Sequence, residues 1–315
     1  MDAISQLLRL ARLEAQLDKH CLLGQATTME TAGHRDLEVP FHVLLEGTCE
    51  LHVGSTHLQL SAGDVVLLPD GALHRITTSG AGRRSTTIDE DGKAFTTTRS
   101  SDGGSPVIDL FCGRYTFGIG AGTILVRSLP SVIHVAFGHA PESDQVLRSL
   151  SQLIRGEAQR HGEGTAAILA SLCTVLLAMV LRTSSVNTDS VLWTAAAEGT
   201  VANAIAAILE RPEEQWSIER LSRGANMSRA TFLRHFGKST GMTVGAFVTK
   251  ARLIAAAELL DTTDATVAVV AQRVGYHSEA AFTRAFHAGV GFTPSRFRRR
   301  AHDAATENAA VRPEG

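Results

Sequence analysis

Trp216-Ser-Ile-Glu-Arg-Leu-Ser-Arg-Gly-Ala-Asn-Met-Ser-Arg-Ala-Thr-Phe-Leu-Arg-His-Phe236 and Val267-Ala-Val-Val-Ala-Gln-Arg-Val-Gly-Tyr-His-Ser-Glu-Ala-Ala-Phe-Thr-Arg-Ala-Phe286 lie in the last third of this 315-residue chain. Each opens with a short apolar helical run, breaks at a tight turn and restarts at a serine. Ser228 and Ser278 suit the first position of a new helix, where a hydroxyl accepts from the free N–H groups that follow. In the first stretch Ile218, Leu221 and Ala225 form an apolar face matched by Met227, Phe232 and Phe236. In the second, Val267, Val270, Ala271 and Val274 face Phe282 and Phe286, and Gly275 permits the turn. One such pattern describes many helical hairpins. Two in tandem, joined by one long helix, point to a protein that sets two helices into DNA major grooves.

The residues left on the outward faces are Arg229, Ala230, Leu233 and Arg234 in the first stretch, and Glu279, Ala280, Thr283 and Arg284 in the second. Arginine there can donate a bidentate pair to guanine O6 and N7. For any single arginine, a solvated face or a phosphate contact is the plain alternative. The charge distribution agrees with DNA as partner. The whole chain carries a formal charge of -2, but residues 200–300 hold 14 Lys and Arg against 8 Asp and Glu. A basic third is thus attached to an acidic body.

Composition is that of an ordinary soluble protein, 44% hydrophobic and 20% charged, and the length allows two domains with cores of their own. The Met-Asp-Ala start has no basic segment followed by an apolar core, so a cytoplasmic protein is expected. Residues 165–181 are uncharged and apolar but short for a membrane span, and they include Ser171, Cys173 and Thr174. A buried helix at a subunit interface is expected there, and no membrane association. Cys21, Cys49, Cys112 and Cys173 show no paired spacing and are expected to be reduced.

Residues 1 to about 20 place Ile4, Leu7, Leu8, Leu10, Leu13 and Leu17 at helical spacing, which predicts a short amphipathic helix. Short β-type runs follow at 39–45, 48–53, 57–60, 64–68, 107–111 and 124–129, the texture of a β-sandwich or small barrel. The expected organisation is α+β and multidomain. A β-barrel sensor spans 1–140 with a polar mobile loop at about 79–106, and a helical hairpin at 141–183 serves dimerisation. A linker at 184–198 leads to an all-α double helix-turn-helix at 199–300, with a disordered tail at 301–315.

The ordered set Ser228–Phe236, Thr240-Gly-Met-Thr243, Arg252-Leu-Ile-Ala-Ala-Ala-Glu-Leu-Leu260, Val270-Ala-Gln-Arg-Val-Gly-Tyr276 and Gly291-Phe-Thr-Pro-Ser-Arg-Phe-Arg298 resembles the AraC/XylS family of bacterial transcription regulators. The resemblance covers about 200–300. It implies two helix-turn-helix subdomains held by a rigid helix at about 244–260. By position it puts Ala230, Leu233 and Arg234 on the first base-reading face and Glu279, Ala280, Thr283 and Arg284 on the second. With Ala230 and Leu233 small or apolar, reading by the first helix rests on Arg234 and methyl contacts. Arg296, Arg298, Arg299 and Arg300 are expected to touch phosphate or solvent.

Upstream, Gly63-Asp-Val-Val-Leu-Leu-Pro69-Asp-Gly71-Ala-Leu-His74 has the spacing G-x5-P-x-G-x2-H, which resembles the second motif of the cupin barrel. Of the first cupin motif only His42, with Glu46 near it, remains, so the usual three-histidine metal site and oxygenase chemistry are not expected. Cys21, His42 and His74 make a zinc-type ligand set, against the alternative of hydrogen-bonded core histidines. Arg114 near Cys112, and Lys19 and His20 beside Cys21, provide basic surroundings that favour an oxidisable thiolate. The other reading makes these cysteines small buried hydrophobes, as expected for Cys49 and Cys173. The segments Met1-Asp-Ala-Ile-Ser-Gln-Leu-Leu and Asp18-Lys-His-Cys21 resemble a cupin-bearing subgroup of these regulators with a reactive-chlorine-responsive member. In that member cysteines matching Cys21 and Cys112 are implicated in oxidant sensing. The resemblance implies a non-enzymatic dimeric activator, with DNA and RNA polymerase as partners and a redox switch at Cys21 and Cys112. A small organic effector in the barrel is the competing input, and a metal-dependent cupin enzyme the competitor of a different class.

Overall fold

Val39, Phe41, Val43 and Leu44 are buried on both faces of β3 (Glu38–Glu46), which marks it as a central strand. β3 belongs to a computed structural model that describes residues 5, 8–9, 11–35, 37–118, 121–126, 129–137, 141–160, 162–184 and 201–300. The chain divides into two compact units, 14–116 with 130–184, and 1–13 with 117–129 and 185–315.

The first unit is a two-sheet barrel. Its further strands are β1 (Glu14–Leu23), β2 (Thr28–Thr31), β4 (Thr48–Val53), β5 (Thr56–Ser61), β6 (Asp64–Leu67), β7 (His74–Thr77), β8 (Thr87–Asp91), β9 (Thr96–Ser100), β10 (Ile108–Thr116) and β11 (Ile133–Ala136). One sheet runs β11-β6-β3-β10-β1-β9-β8 and the other β2-β7-β4-β5. Their inner faces share one core that includes Cys21, Leu44, Leu51, Val66, Ile76, Leu110 and Cys112. The turn residues of the cupin-like motif take the backbone their type allows: Gly63 and Gly71 have φ of 95° and 60°.

Three local expectations are corrected. Residues 14–20 are not helical but open β1, which lies between β10 and parallel β9 in mid-sheet. The helical spacing of leucines ends where Arg12 turns to φ 46°, and long-range pairing overrides it. Within 79–106, expected as a loop, β8 and β9 form an antiparallel hairpin. Here hydroxyls are buried in place of alkyl groups. Thr98 donates to Asp89 at 2.7 Å, and Ser100 Oγ accepts from Gly24 N at 2.7 Å. Residues 124–126, read as strand, belong to helix α1 (Ala121–Val126). That helix packs on the long helix of the second unit, so 1–13 and 117–129 group with the all-helical unit rather than with the barrel.

The hairpin expected after the barrel is α2 (Pro141–Arg160) and α3 (Thr165–Ser184), with α3 packed on β1. By length and composition Thr165–Thr183 is sufficient to cross a bilayer, contrary to the estimate that it falls short. The core helix of a folded domain passes the same test, and α3 has that character. Cys173, Leu176, Leu177, Val180 and Leu181 are buried, and Tyr115 on β10 donates to Cys173 O at 2.8 Å.

The second unit holds α4 (Ala202–Glu210), α5 (Ile218–Gly224), α6 (Arg229–Thr240), α7 (Val244–Thr262), α8 (Val267–Arg273) and α9 (Glu279–Val290), with 294–300 also helical. Serine or threonine caps five of these helices in series. Ser217, Ser228, Thr243, Thr266 and Ser278 accept from Arg220, Thr231, Ala246, Val269 and Ala281 N–H groups. Phe232, Phe236 and Phe247 form one aromatic cluster; Phe282, Phe286 and Phe297 form another. The linker expected at 184–198, apart from residue 184, and the tail at 301–315 lie outside the described residues.

Candidate functional site

Strand register assembles the barrel's polar centre. On β10, Cys112 pairs with His42 of β3; on β1, Cys21 pairs with Leu110, one step diagonal to Cys112. Side chains two apart on a strand share a face, so Cys21, Cys112 and His42 all point into the barrel. His74 enters from β7 in the opposing sheet. The result is a continuous chain. Cys21 Sγ lies 3.6 Å from Cys112 Sγ, Cys112 Sγ 3.1 Å from His42 Nδ1, and His42 Nε2 2.8 Å from His74 Nε2. His74 Nδ1 lies 2.8 Å from Ala72 O.

The carbonyl at the end fixes every proton in that chain. Ala72 O can only accept, so His74 carries its hydrogen on Nδ1 and Nε2 of the neutral ring accepts. His42 must then donate from Nε2, which leaves Nδ1 to accept from the Cys112 thiol. Cys21 in turn donates to Cys112. Electrostatics keep both rings neutral. Burial, then the charge of His74, holds His42 well below the ordinary imidazole range, and burial lowers His74 as well.

The Cys112 thiol is pushed well above its ordinary range by the contact with Cys21 and then by burial. This corrects the expectation of a lowered thiol, because the basic groups are engaged elsewhere. Lys19 Nζ is 2.7 Å from Asp89, His20 Nε2 2.9 Å from Asp109, and Arg114 pairs with Asp18. Cys49 and Cys173 are buried, each pushed up to about 12 by burial, as expected of small structural hydrophobes.

The three residues of the zinc-type set are near one another, but Cys112 stands between Cys21 and His42. The two histidine Nε2 atoms meet each other rather than a common point. Among the described residues no group of three or more His, Cys, Asp or Glu is arranged to hold a metal. This geometry does not fit zinc, which needs three or four donors converging at about 2.0–2.3 Å. Beside the chain, a cavity of about 670 Å³ is walled in part by Cys112, His42, Lys19, Phe95 and Arg114.

On the second unit, Ala230, Leu233 and Arg234 of α6 and Glu279, Ala280 and Arg284 of α9 are exposed, and Thr283 is half-buried. Arg229 is exposed too, but its guanidinium lies 2.6 Å from Glu219 of α5. Two arginines act inside the unit, where sequence reading had assigned them no such part. Arg252 of α7 donates to Pro212 O at 2.9 Å, Glu214 O at 3.1 Å and Gly275 O at 3.0 Å, joining the entry of the first motif to the turn of the second. Arg298, expected at phosphate or solvent, donates to Leu260 O at 3.2 Å and Ala265 O at 2.5 Å beyond the end of α7. A cation there satisfies the free carbonyls of a helix C-terminus.

Comparison with known proteins agrees with both halves. Residues 2–185 match the cupin family and 221–300 a helix-turn-helix domain family. An uncharacterised helix-turn-helix transcriptional regulator of Haemophilus influenzae is 30% identical, over 95% of this chain and 99% of its own. The RCS-specific transcriptional activator RclR of Escherichia coli is 29% identical, over 95% of this chain and 98% of its own. The solved DNA-binding domain of AdpA in complex with target DNA is 33% identical. It covers 38% of this chain and all of that one, with a TM-score of 0.31.

Proposed function

The chain belongs to the cupin-bearing AraC family of DNA-binding transcriptional regulators, and on that premise we propose that oxidation of Cys21 and Cys112 is its signal. The observation that carries this reading is the 3.6 Å approach of the two sulfurs in the barrel core. A disulfide there shortens the S–S separation to about 2.05 Å, and so pulls β1 against β10 in a densely packed interior. The relative from Escherichia coli, named as specific to reactive chlorine species and an activator, supports the class of signal and the sense of the response. The protein so read is a cytoplasmic activator that works with RNA polymerase at a promoter. A reporter under its control tests this directly. Cys21→Ser and Cys112→Ser are each expected to abolish induction by hypochlorite, and normal induction in both variants sinks the switch.

Base reading falls to the outward faces of α6 and α9, chiefly Arg234 and Arg284. Arg229, held by Glu219, is left to phosphate contact. Arg234→Ala and Arg284→Ala are each expected to weaken specific binding by about 1–3 kcal/mol and to relax preference at one base position. Equal weakening on random DNA, read by titration at fixed salt, would reassign them to the backbone. Dimerisation is assigned to the hairpin, because α2 exposes Val146 and Leu153 and α3 exposes Ile168 and Val175, each pair seven residues apart on one helix face.

A second input is favoured by the cavity of about 670 Å³ beside His42, a volume that suits a small organic effector. Induction by a metabolite in cells carrying both cysteine substitutions would select it.

A further inference from the structure

We propose that His52 and His57 form a surface site for a divalent late transition metal, with Ni(II) and Cu(II) favoured over zinc. Cys49 and Leu51 of β4 and Leu60 of β5 face the core, so His52 and His57 point to the outer face of the four-stranded sheet. β4 and β5 are joined by the two-residue turn Gly54-Ser55, where Gly54 takes φ 56°. Val53 and Thr56 flank that turn as the hydrogen-bonded pair. The next pair, His52 opposite His57, is then of the non-hydrogen-bonded kind, whose side chains approach most closely. β5 is the edge of its sheet, His57 is exposed and His52 half-buried, so the pair is open to solvent.

The distance between the rings selects the metal. The two Nδ1 atoms lie 2.6 Å apart, with the ring planes at 88°. Donors held about 2.0 Å from a metal stand about 2.8 Å apart at neighbouring corners of a square, and about 3.3 Å apart on a tetrahedron. The square needs an opening of about 0.2 Å and the tetrahedron about 0.7 Å. Square and tetragonal nitrogen sites are those of Ni(II) and Cu(II), and the corners the two rings leave go to water.

The neighbours hold His52 in the form a ligand needs. Its Nε2 lies 3.3 Å from Thr77 Oγ1 and 3.4 Å from a carboxylate oxygen of Glu50. A carboxylate only accepts, so the ring keeps its hydrogen on Nε2 and turns the Nδ1 lone pair toward His57. Metal-bound histidines are oriented in this way, by a carboxylate at the far nitrogen. His57 Nδ1 then supplies the hydrogen between the rings. A metal ion takes its place, that hydrogen moves through water to the other nitrogen of His57, and no net proton or electron is exchanged. The sheet face also suits a cation. Arg75 of β7 is in register with both His52 and Glu30 of β2, so Glu30 and Glu50 place two carboxylates there against one guanidinium.

The test is calorimetric titration of the untagged full-length protein with Ni(II), and electron paramagnetic resonance of the protein with Cu(II). The wild type is expected to bind Ni(II) and to give a tetragonal Cu(II) spectrum with two ring nitrogens. His57→Asn, on the exposed edge strand, is expected to lower Ni(II) affinity about a hundredfold and to remove one nitrogen from the spectrum. Glu50→Gln, which keeps both rings, is expected to lower affinity about tenfold and serves if a histidine substitution disturbs the hairpin. Zn(II) is expected to bind about tenfold more weakly than Ni(II). No Ni(II) binding by the wild type at about 0.1 mM, or affinity and spectrum unchanged in His57→Asn, overturns the site. Zinc bound as tightly as nickel overturns the square geometry, and unchanged affinity in Glu50→Gln overturns the part given to that carboxylate.

Discussion

Gly275→Ala is expected to cost the DNA-binding unit about 3 kcal/mol, the sum of a left-handed backbone and a blocked contact. Gly275 sits at φ 85° in the turn between α8 and α9. A methyl group added there falls 2.6 Å from Glu213 O and 2.9 Å from Arg252 Nη2, and Nη2 itself donates to Glu213 O at 3.5 Å. Neither side gives way cheaply. The oxygen is backbone, and the guanidinium is already committed to four carbonyls. The substitution therefore removes part of the brace as well as straining the turn. Thermal unfolding of residues 199–300 within the full chain reads the effect, a fall of roughly 12–24 °C if the unit melts independently. Arg252→Ala in the Gly275→Ala background is expected to add less than its own single effect, because both act on one junction. A loss below about 1 kcal/mol for Gly275→Ala would show that the 212–214 segment moves aside freely.

Acidification is expected to destabilise the barrel before the DNA-binding unit. His42 and His74 are buried and neutral, His42 held well below 6.5 and His74 below it. Above the unfolded value of about 6.5 neither the folded nor the unfolded chain binds these protons, and the full stability is present. As pH falls through that value the unfolded chain takes up two protons that the folded barrel refuses. Stability then drops by at most about 1.4 kcal/mol per histidine per pH unit, more through His42 than through His74, because His42 is held further below the ordinary imidazole range. The decline ends only at the folded pKa, where the rings charge and the ordered donors from Cys21 to Ala72 O reverse or break. A melting temperature that falls below pH 6.5, with His74→Gln removing part of the slope, is the expected result. A flat profile from pH 5 to 8 would mean that the two rings are open to water.

The parts of this fold that were legible in the sequence are those written in short-range pattern. Ser228 and Ser278 announce their helices within three residues, and the paired phenylalanines repeat at helical spacing. The glycines and proline of 63–74 spell out a turn. β1, the β8–β9 hairpin and α1 were not legible, because each takes its form from a distant partner. Lys19 meets Thr96, and Thr98 and Ser100 are buried by hydroxyl bonds that hydropathy cannot register. The barrel's polar centre was visible residue by residue but not as a unit. Cys21, His42 and His74 stood out singly as a ligand set. The place of Cys112 between Cys21 and His42 depends on a register between β3, β10 and β1 that no local spacing displays. Arg252 and Arg298 looked like two more surface cations, and their carbonyl partners lie 23 to 40 residues away.

The brace formed by Arg252 on a 19-residue α7 bears on how a promoter would be written. At about 1.5 Å per residue the helix is roughly 28 Å long, a little under the ~34 Å of one turn of B-DNA. Two reading heads fixed on so stiff a spacer cannot adjust their separation independently, so the recognised sequence becomes two short words in a set helical phase. A base pair gained or lost between them rotates one word away from its reader by about 34–36°. For such a protein the silent letters between the words carry information through their number alone.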